Sequence, residues 1–301
     1  MRENHLSRLF LEEGAGADGK AKQDQQGKVR GKTSMTETSD IWTGEAIRYD
    51  RTRPTPPPAL LDLLTQLIHL PHPALVVDVG SGTGLSTAFW GERAELVIGI
   101  EPNADMRTQA VRKLEHHPYA AHIEYREGVA HRTGLPDGCA DIVTCAQSLH
   151  WMEPTSTLAE IARILRPGGL FAAYDYDWPP TLHWELEQVY QEVDERFEKL
   201  VQERGLAHTL QQWSKDTHLD RMRDCARFRF TREVLLHHVE QGDSARFLEM
   251  ILTNAYSHQF KLKTITAQEI GFDRLTHAAF QYIGSEPIPW YFSYRVRIGM
   301  K

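Results

Sequence analysis

The chain has 301 residues, enough for a sizeable core in one large domain or in one domain with a substantial insertion. Its formal net charge of −7 and the absence of any lysine or arginine block argue against general nucleic-acid binding. Three cysteines, Cys139, Cys145 and Cys225, lack metal-ligand spacing and read as thiols of a reducing cytoplasm, and no apolar stretch approaches the roughly 20 residues of a membrane span.

Residues 1–40 are rich in Gly, Lys, Gln and Glu and nearly lack large apolar side chains after Leu11. Such a segment cannot offset its ordering entropy, so a disordered N-terminal extension is expected, with Met35 as an alternative start. One folded domain is expected over 41–301, with a core at 71–175 and a helical lid plus final strands at 176–301. Leu60, Leu61, Leu63, Leu64, Leu67 and Ile68 are spaced as one helix face. Val76 and Val77 then end a buried-strand run, which stops at Asp78 and a turn holding Gly80, Gly82 and Gly84. Glycines let backbone N–H groups approach a ligand, and a helix starting after Gly84 points its positive end at the same place. A second run, Leu96 to Ile100, ends in Glu101, 21 residues after Gly80. That spacing puts a carboxylate where it can accept from both hydroxyls of a ribose, so the unit reads as a nucleoside site.

The glycine spacing restricts the nucleoside. A dinucleotide fingerprint is G-x-G-x-x-G, whereas here the third glycine comes one residue early and Asp78 precedes the first. Asp78 repels a pyrophosphate but suits a ligand carrying positive charge, such as the sulfonium and ammonium of S-adenosylmethionine. Asp78-Val79-Gly80-Ser81-Gly82-Thr83-Gly84 and Gly99-Ile100-Glu101-Pro102-Asn103 resemble the first two cofactor motifs of class I S-adenosylmethionine-dependent methyltransferases. The resemblance implies an α/β fold, a Rossmann-like sheet of seven mostly parallel strands with helices on both faces and an antiparallel last strand. It implies S-adenosyl-L-methionine as cofactor, held by Asp78, Gly80, Ser81, Gly82, Gly84, Glu101 and Pro102.

The following elements alternate as a doubly wound sheet requires. A helix is expected from about Asn103 to Leu114, a third strand at Ile123–Tyr125 and a fourth at Ile142–Cys145. Leu158, Ile161, Ala162 and Leu165 make a helix that Pro167-Gly168-Gly169 stops, with Leu170–Tyr174 as strand five. Arg163-Ile164-Leu165-Arg166-Pro167-Gly168-Gly169 resembles the turn before the fifth strand of these methyltransferases. Helical spacing then runs from Leu182 to Val201 and again from Phe247 to Tyr256, and Thr266-Ala267-Gln268-Glu269 has the form of a capping box. Arg227–Phe230 and Tyr291–Ile298 alternate with period two, as half-exposed strands six and seven do. The helices between five and seven are expected to form a lid with Trp184, Trp213, Tyr256 and Trp290. The arginines at 221, 223, 227, 229 and 232 read as a solvated strand face.

Ligands of open α/β sheets bind at the carboxyl ends of the strands. After the third strand, Val129 and His131 stand where the family often carries an acid for adenine, so backbone atoms of Val129 and Ala130 are the expected substitute. The fourth tip holds Gln147, His150 and Trp151. His150 is a candidate general base because its side chain titrates near neutrality, Gln147 orients the acceptor or touches the cofactor, and Trp151 walls the pocket. The alternative is that His150 bonds only backbone and Trp151 is core. Asp175 and Trp178, after strand five, complete the expected substrate pocket. No metal is expected, since the fourth tip offers Asp175 and Asp177 no partner acid, and the adjacent pairs His116-His117 and His237-His238 point to different sides. By resemblance, Tyr49 and Arg53 close over the methionine end of the cofactor, Arg53 pairing its carboxylate.

The expected activity is methyl transfer to a small-molecule acceptor, oxygen before nitrogen or carbon, by in-line displacement. The His150-Trp151 pair and the final Trp-Tyr-x-x-Tyr-Arg-Val-Arg strand resemble the ubiquinone-biosynthesis-type and trans-aconitate-methyltransferase-like branch. Two alternatives stay open: a macromolecular (RNA or protein) methyltransferase with a wide basic mouth, and a catalytically silent regulatory protein that binds the cofactor.

Overall fold

A computed structural model describes residues 42–206, 212–253, 256, 259–260 and 262–301. The expected disordered extension, 1–40, lies outside the described residues. Two short helices, α1 (Ala46–Thr52) and α2 (Ala59–Leu67), precede the sheet, and of the expected face α2 buries Leu60, Leu61 and Leu64 while Leu67, in its last turn, is exposed. The alternation then runs β1 (Leu75–Val79), α3 (Leu85–Phe89), β2 (Leu96–Ile100), α4 (Ala104–Leu114), β3 (Ile123–Arg126), β4 (Ala140–Ala146), α5 (Pro154–Ile164) and β5 (Leu165–Tyr176). Local chemistry sets the helix starts. Asn103 caps α4 by accepting from the Met106 N–H at 3.0 Å, and Glu153 caps α5 by accepting from the Thr155 and Ser156 N–H groups.

After β5 come α6 (Trp184–Glu203), α7 (His218–Asp224), β6 (Phe230–Gly242), α8 (Ser244–Leu252), α9 (Ala267–Ile270), α10 (Phe272–Tyr282) and β7 (Ile288–Met300). The strands form one seven-stranded sheet in the order β3-β2-β1-β4-β5-β7-β6, parallel except that β7 runs antiparallel to both β5 and β6. This is the Rossmann-like arrangement expected from the motifs. Val77, Ile98, Val143 and Phe171 are fully or almost fully buried at the sheet's centre, and α5 adds Leu158, Ile161 and Ile164. Each such side chain contributes about 1.5–3 kcal/mol on burial. The capping box at Thr266 and Glu269 is present at the start of α9. No helix among the described residues is long and apolar enough to cross a membrane.

The fold departs from the sequence pattern at three places. Pro167-Gly168-Gly169 does not separate helix from strand: β5 begins at Leu165, and the turn sits inside it as an irregularity opposite Ala140 and Ile142, with Gly168 at φ +78°. Strand six starts at Phe230 and not at Arg227, because Arg221 and Arg223 lie on α7 and Phe228 is buried against Phe171. Arg297 of β7 is buried, not half-exposed, because β7 lies between β5 and β6, where Asp175 and Glu233 meet the guanidinium.

Candidate active site

The carboxyl ends of β1, β2, β4 and β5 converge on a cavity of about 170 Å3. Gly80, Gly82 and Gly84 all have positive φ, so the loop after β1 folds back tightly enough to meet β2. The Gly80 and Ser81 N–H groups both donate to the Ile100 carbonyl, at 2.8 and 3.2 Å, and the Gly82 N–H donates to Glu101 Oε2 at 2.9 Å. The loop's donors therefore face the second strand tip instead of standing free as an anion cradle, which is unsuited to a pyrophosphate.

Glu101 is buried in the cavity wall, and burial raises its pKa against the opposing N–H bonds from Asn103 and Gly82. Each carboxylate oxygen accepts one of those bonds and keeps further lone pairs, which suits a ribose diol. Ser81 Oγ and Thr83 Oγ1 line the same cavity, buried and without a hydrogen-bond partner among the described residues. Pro102, Val129 and Ala130 line it on the side of β2 and β3. Orphaned hydroxyls, a buried acid with open lone pairs and an apolar slot together fit a nucleoside such as S-adenosylmethionine.

Asp78 occupies a different place from the one expected. It is fully buried on β1, outside the cavity wall, and its carboxylate accepts from Thr87 Oγ1 at 2.7 Å and Thr144 Oγ1 at 2.8 Å. Burial raises its pKa despite both bonds.

Tyr49 and Arg53 reach the cavity from α1 and its C-terminal end. The Arg53 guanidinium lies 4.6 Å from the Tyr49 ring centroid and donates to the Tyr176 hydroxyl at 2.7 Å. Burial pushes the Tyr49 phenol up to about 12, with the Arg53 charge opposing. Trp42 stands edge-on to both Tyr49 and Trp151.

A second cavity, of about 230 Å3, adjoins the first, and Trp42, Tyr49, Arg53, Gln147, Trp151 and Tyr176 line both. Gln147 sits at φ +50° just past β4, a left-handed backbone rare for a side chain of its size. Its Oε1 accepts from Lys215 Nζ at 2.7 Å. His150, from the turn Leu149–Trp151, lines only the second cavity. It is buried, its Nδ1 has no hydrogen-bond partner among the described residues, and Asp175 Oδ1 is 3.7 Å away. Burial first, then the charges of Lys215, His218, Arg53 and Arg297, hold its pKa well below 6.5, so the ring is neutral at neutral pH.

Trp178 lines the second cavity, as the sequence suggested, whereas Asp175 lines neither. Asp175 is buried beneath, engaged by Arg297 Nη1 at 2.9 Å and Lys215 Nζ at 3.3 Å. Of the expected lid aromatics, Tyr256 lines the second cavity, and the Trp213 N–H donates to the His150 carbonyl. Trp184 is exposed and Trp290 is fully buried against Phe247 and Phe292, so neither belongs to a lid face. Lys215, Tyr176 and Asp194 were missed. Lys215 belongs to no motif, and Asp194 is one acid among several on α6. The strand register would have put Tyr176 at the tip of β5.

Residues 77–173 match a family described as a methyltransferase domain. Curated relatives include an uncharacterized methyltransferase of Mycobacterium tuberculosis, 36% identical over 122 residues, 40% of this chain and 46% of that one. Another is a methyltransferase of Dictyostelium discoideum, 30% identical over 102 residues, 34% of this chain and 36% of that one. The chain thus spans less than half the length of these curated relatives. Among solved structures, a type II methyltransferase from Anaeromyxobacter dehalogenans shares the fold with a TM-score of 0.60 at 23% identity, over 82% of this chain and 97% of that one.

Proposed function

We propose that the chain, whose residues 77–173 match a methyltransferase domain, is a class I S-adenosylmethionine-dependent methyltransferase that over 41–301 passes the donor's methyl group to a small molecule in the second cavity, with oxygen as the accepting atom. The observation that carries this reading is the shared wall: a donor in the first cavity and an acceptor in the second meet at Tyr49, Arg53, Gln147 and Trp151.

The bound cofactor supplies a methyl group on cationic sulfur, open to in-line displacement by a nucleophile. The protein's part is to hold, orient and keep dry. In this reading Glu101 accepts the ribose hydroxyls, Ser81 and Thr83 offer their unpartnered hydroxyls, and Val129 and Ala130 flank the adenine. Arg53 pairs the donor's carboxylate. Asp78 acts from behind the loop, through its field and through the two threonines it fixes. Gln147, held by Lys215, orients the acceptor, and Trp42, Tyr49 and Trp151 exclude water from the junction.

His150 is unprotonated at neutral pH and can take the acceptor's proton on its ring. Its lowered pKa makes it a weak base, so it suits an acceptor whose proton is acidic, such as a phenol. Asp194 and Glu198 in the second cavity disfavour a phosphate backbone there, which supports a small molecule over RNA. Titration calorimetry with S-adenosylmethionine and with S-adenosylhomocysteine tests the donor half, and absence of binding to either would remove the reading.

A further inference from the structure

We infer that the acceptor carries a protonated amine, anchored at Asp194, which lines the second cavity and not the first; the inference rests on the functional reading above. Helix α6 turns a stripe inward: Leu186, Tyr190, Val193, Phe197 and Leu200 are its buried residues. Asp194 sits between them, and Glu198, one turn on, stands exposed at the edge of the same cavity. Like charges at this spacing repel, and a half-buried carboxylate on an apolar stripe costs desolvation. Two other acids of α6 are ion-paired, Glu192 with Arg274 and Glu203 with Lys199. Among the described residues neither Asp194 nor Glu198 has a lysine or arginine within ion-pair distance. The charge on Glu198 is further disfavoured by partial desolvation at the cavity edge and then by Asp194, a penalty that a cation between them relieves.

The surroundings suit an ammonium on an aromatic body. The Tyr256 hydroxyl donates to Asp194 Oδ1 and holds that carboxylate in place. Trp178, Tyr190, Phe197 and Tyr256 line the cavity, with Trp178 edge-on to Tyr190 and Phe197 edge-on to Tyr256. Their rings attract a cation and stack on an aromatic ligand. An independent feature of the same cavity also calls for a ligand: His150, 5% exposed, keeps Nδ1 without a partner. Arg53 stands on the shared wall and Lys215 is bonded to Gln147 of that wall, so an amine is repelled from it and drawn to Asp194. The ligand is thereby oriented, amine at Asp194 and accepting atom at the shared wall.

The test uses three phenols of one shape: tyramine, para-ethylphenol and para-hydroxyphenylpropanoate, which carry a cationic, a neutral and an anionic tail. They are titrated calorimetrically into the full chain saturated with S-adenosylhomocysteine at neutral pH. Tyramine is expected to bind about tenfold tighter than the neutral analogue, the scale of a desolvated cation held by a carboxylate and rings. Asp194→Asn is expected to abolish that preference, and the exposed Glu198→Gln, a variant safe for folding, to reduce it. Equal or tighter binding of the neutral or anionic phenol, an unchanged ranking in both variants, or binding of none of the three would overturn the inference. Absence of S-adenosylhomocysteine binding in the parent chain would instead overturn the functional reading, and this inference with it. Retained S-adenosylhomocysteine binding in each variant reports that it has folded.

Discussion

The Gly82 N–H donates to Glu101 Oε2 at 2.9 Å, tying the loop after β1 to the tip of β2. Asn103 holds the other oxygen through its N–H at 2.8 Å and also caps α4, so one carboxylate joins three elements. Glu101→Ala is expected to weaken S-adenosylmethionine binding about 10- to 100-fold, since a hydrogen bond to a charged group contributes about 1.5–3 kcal/mol. Calorimetry measures this. Unchanged affinity would mean that Glu101 serves the loop alone.

Two glycines of the same loop should respond differently to alanine. At Gly80 a Cβ would lie 2.6 Å from Met152 Cε and 2.7 Å from Ser148 Cβ, on a backbone at φ +71°. Ser148 cannot yield easily, because its Oγ is bonded to the Val79 carbonyl at 2.8 Å. Gly80→Ala should therefore lose about 2–4 kcal/mol by chemical denaturation, from the left-handed backbone and the clash together. Gly82 has φ +55° and open space around a Cβ, so Gly82→Ala should lose only about 1–2 kcal/mol. Equal losses would contradict the packing described.

Lys215 bridges Gln147 and Asp175 beside His150. Its charge is the second cause, after burial, of the lowered His150 pKa. Removing that charge with Lys215→Met should raise the His150 pKa toward 6.5, read as a histidine titration by NMR, while leaving donor affinity unchanged. A titration that does not move would detach Lys215 from His150.

His218, buried on α7, has its pKa lowered from 6.5 to about 4, chiefly by burial, with Asp175 opposing. The unfolded chain binds this proton more readily than the folded one. Its contribution to stability is thus complete above pH 6.5 and is lost as pH falls from 6.5 toward about 4. His218→Phe should flatten the slope of stability against pH in that window, measured by denaturant unfolding. Parallel slopes for both proteins would place His218 outside the titrating set.

The sheet and the first cavity were legible because their signals are local. Apolar runs ended at Asp78 and Glu101, and positive-φ glycines stood where the turn demanded them. Asp78 was misplaced since a sequence gives a residue's strand but not which side of the loop its carboxylate faces, and Thr87 and Thr144 claim it from two other elements. The second cavity was far less legible. Gln147 meets Lys215 across 68 residues, and Asp194 meets Tyr256 across 62. Arg297 carried a strand period, yet its burial follows from pairing with β5 and β6 at once.

Methyl transfer to a small molecule across the wall shared by the two cavities leaves a label where the methyl group lands. The most direct measurement incubates the protein with methyl-labelled S-adenosylmethionine and a cell extract, then separates the small-molecule, protein and RNA fractions. The expected result is label in the small-molecule fraction that disappears with Glu101→Ala. Label confined to protein or RNA, or no transfer despite donor binding, would mean that the second cavity does not serve a small-molecule acceptor.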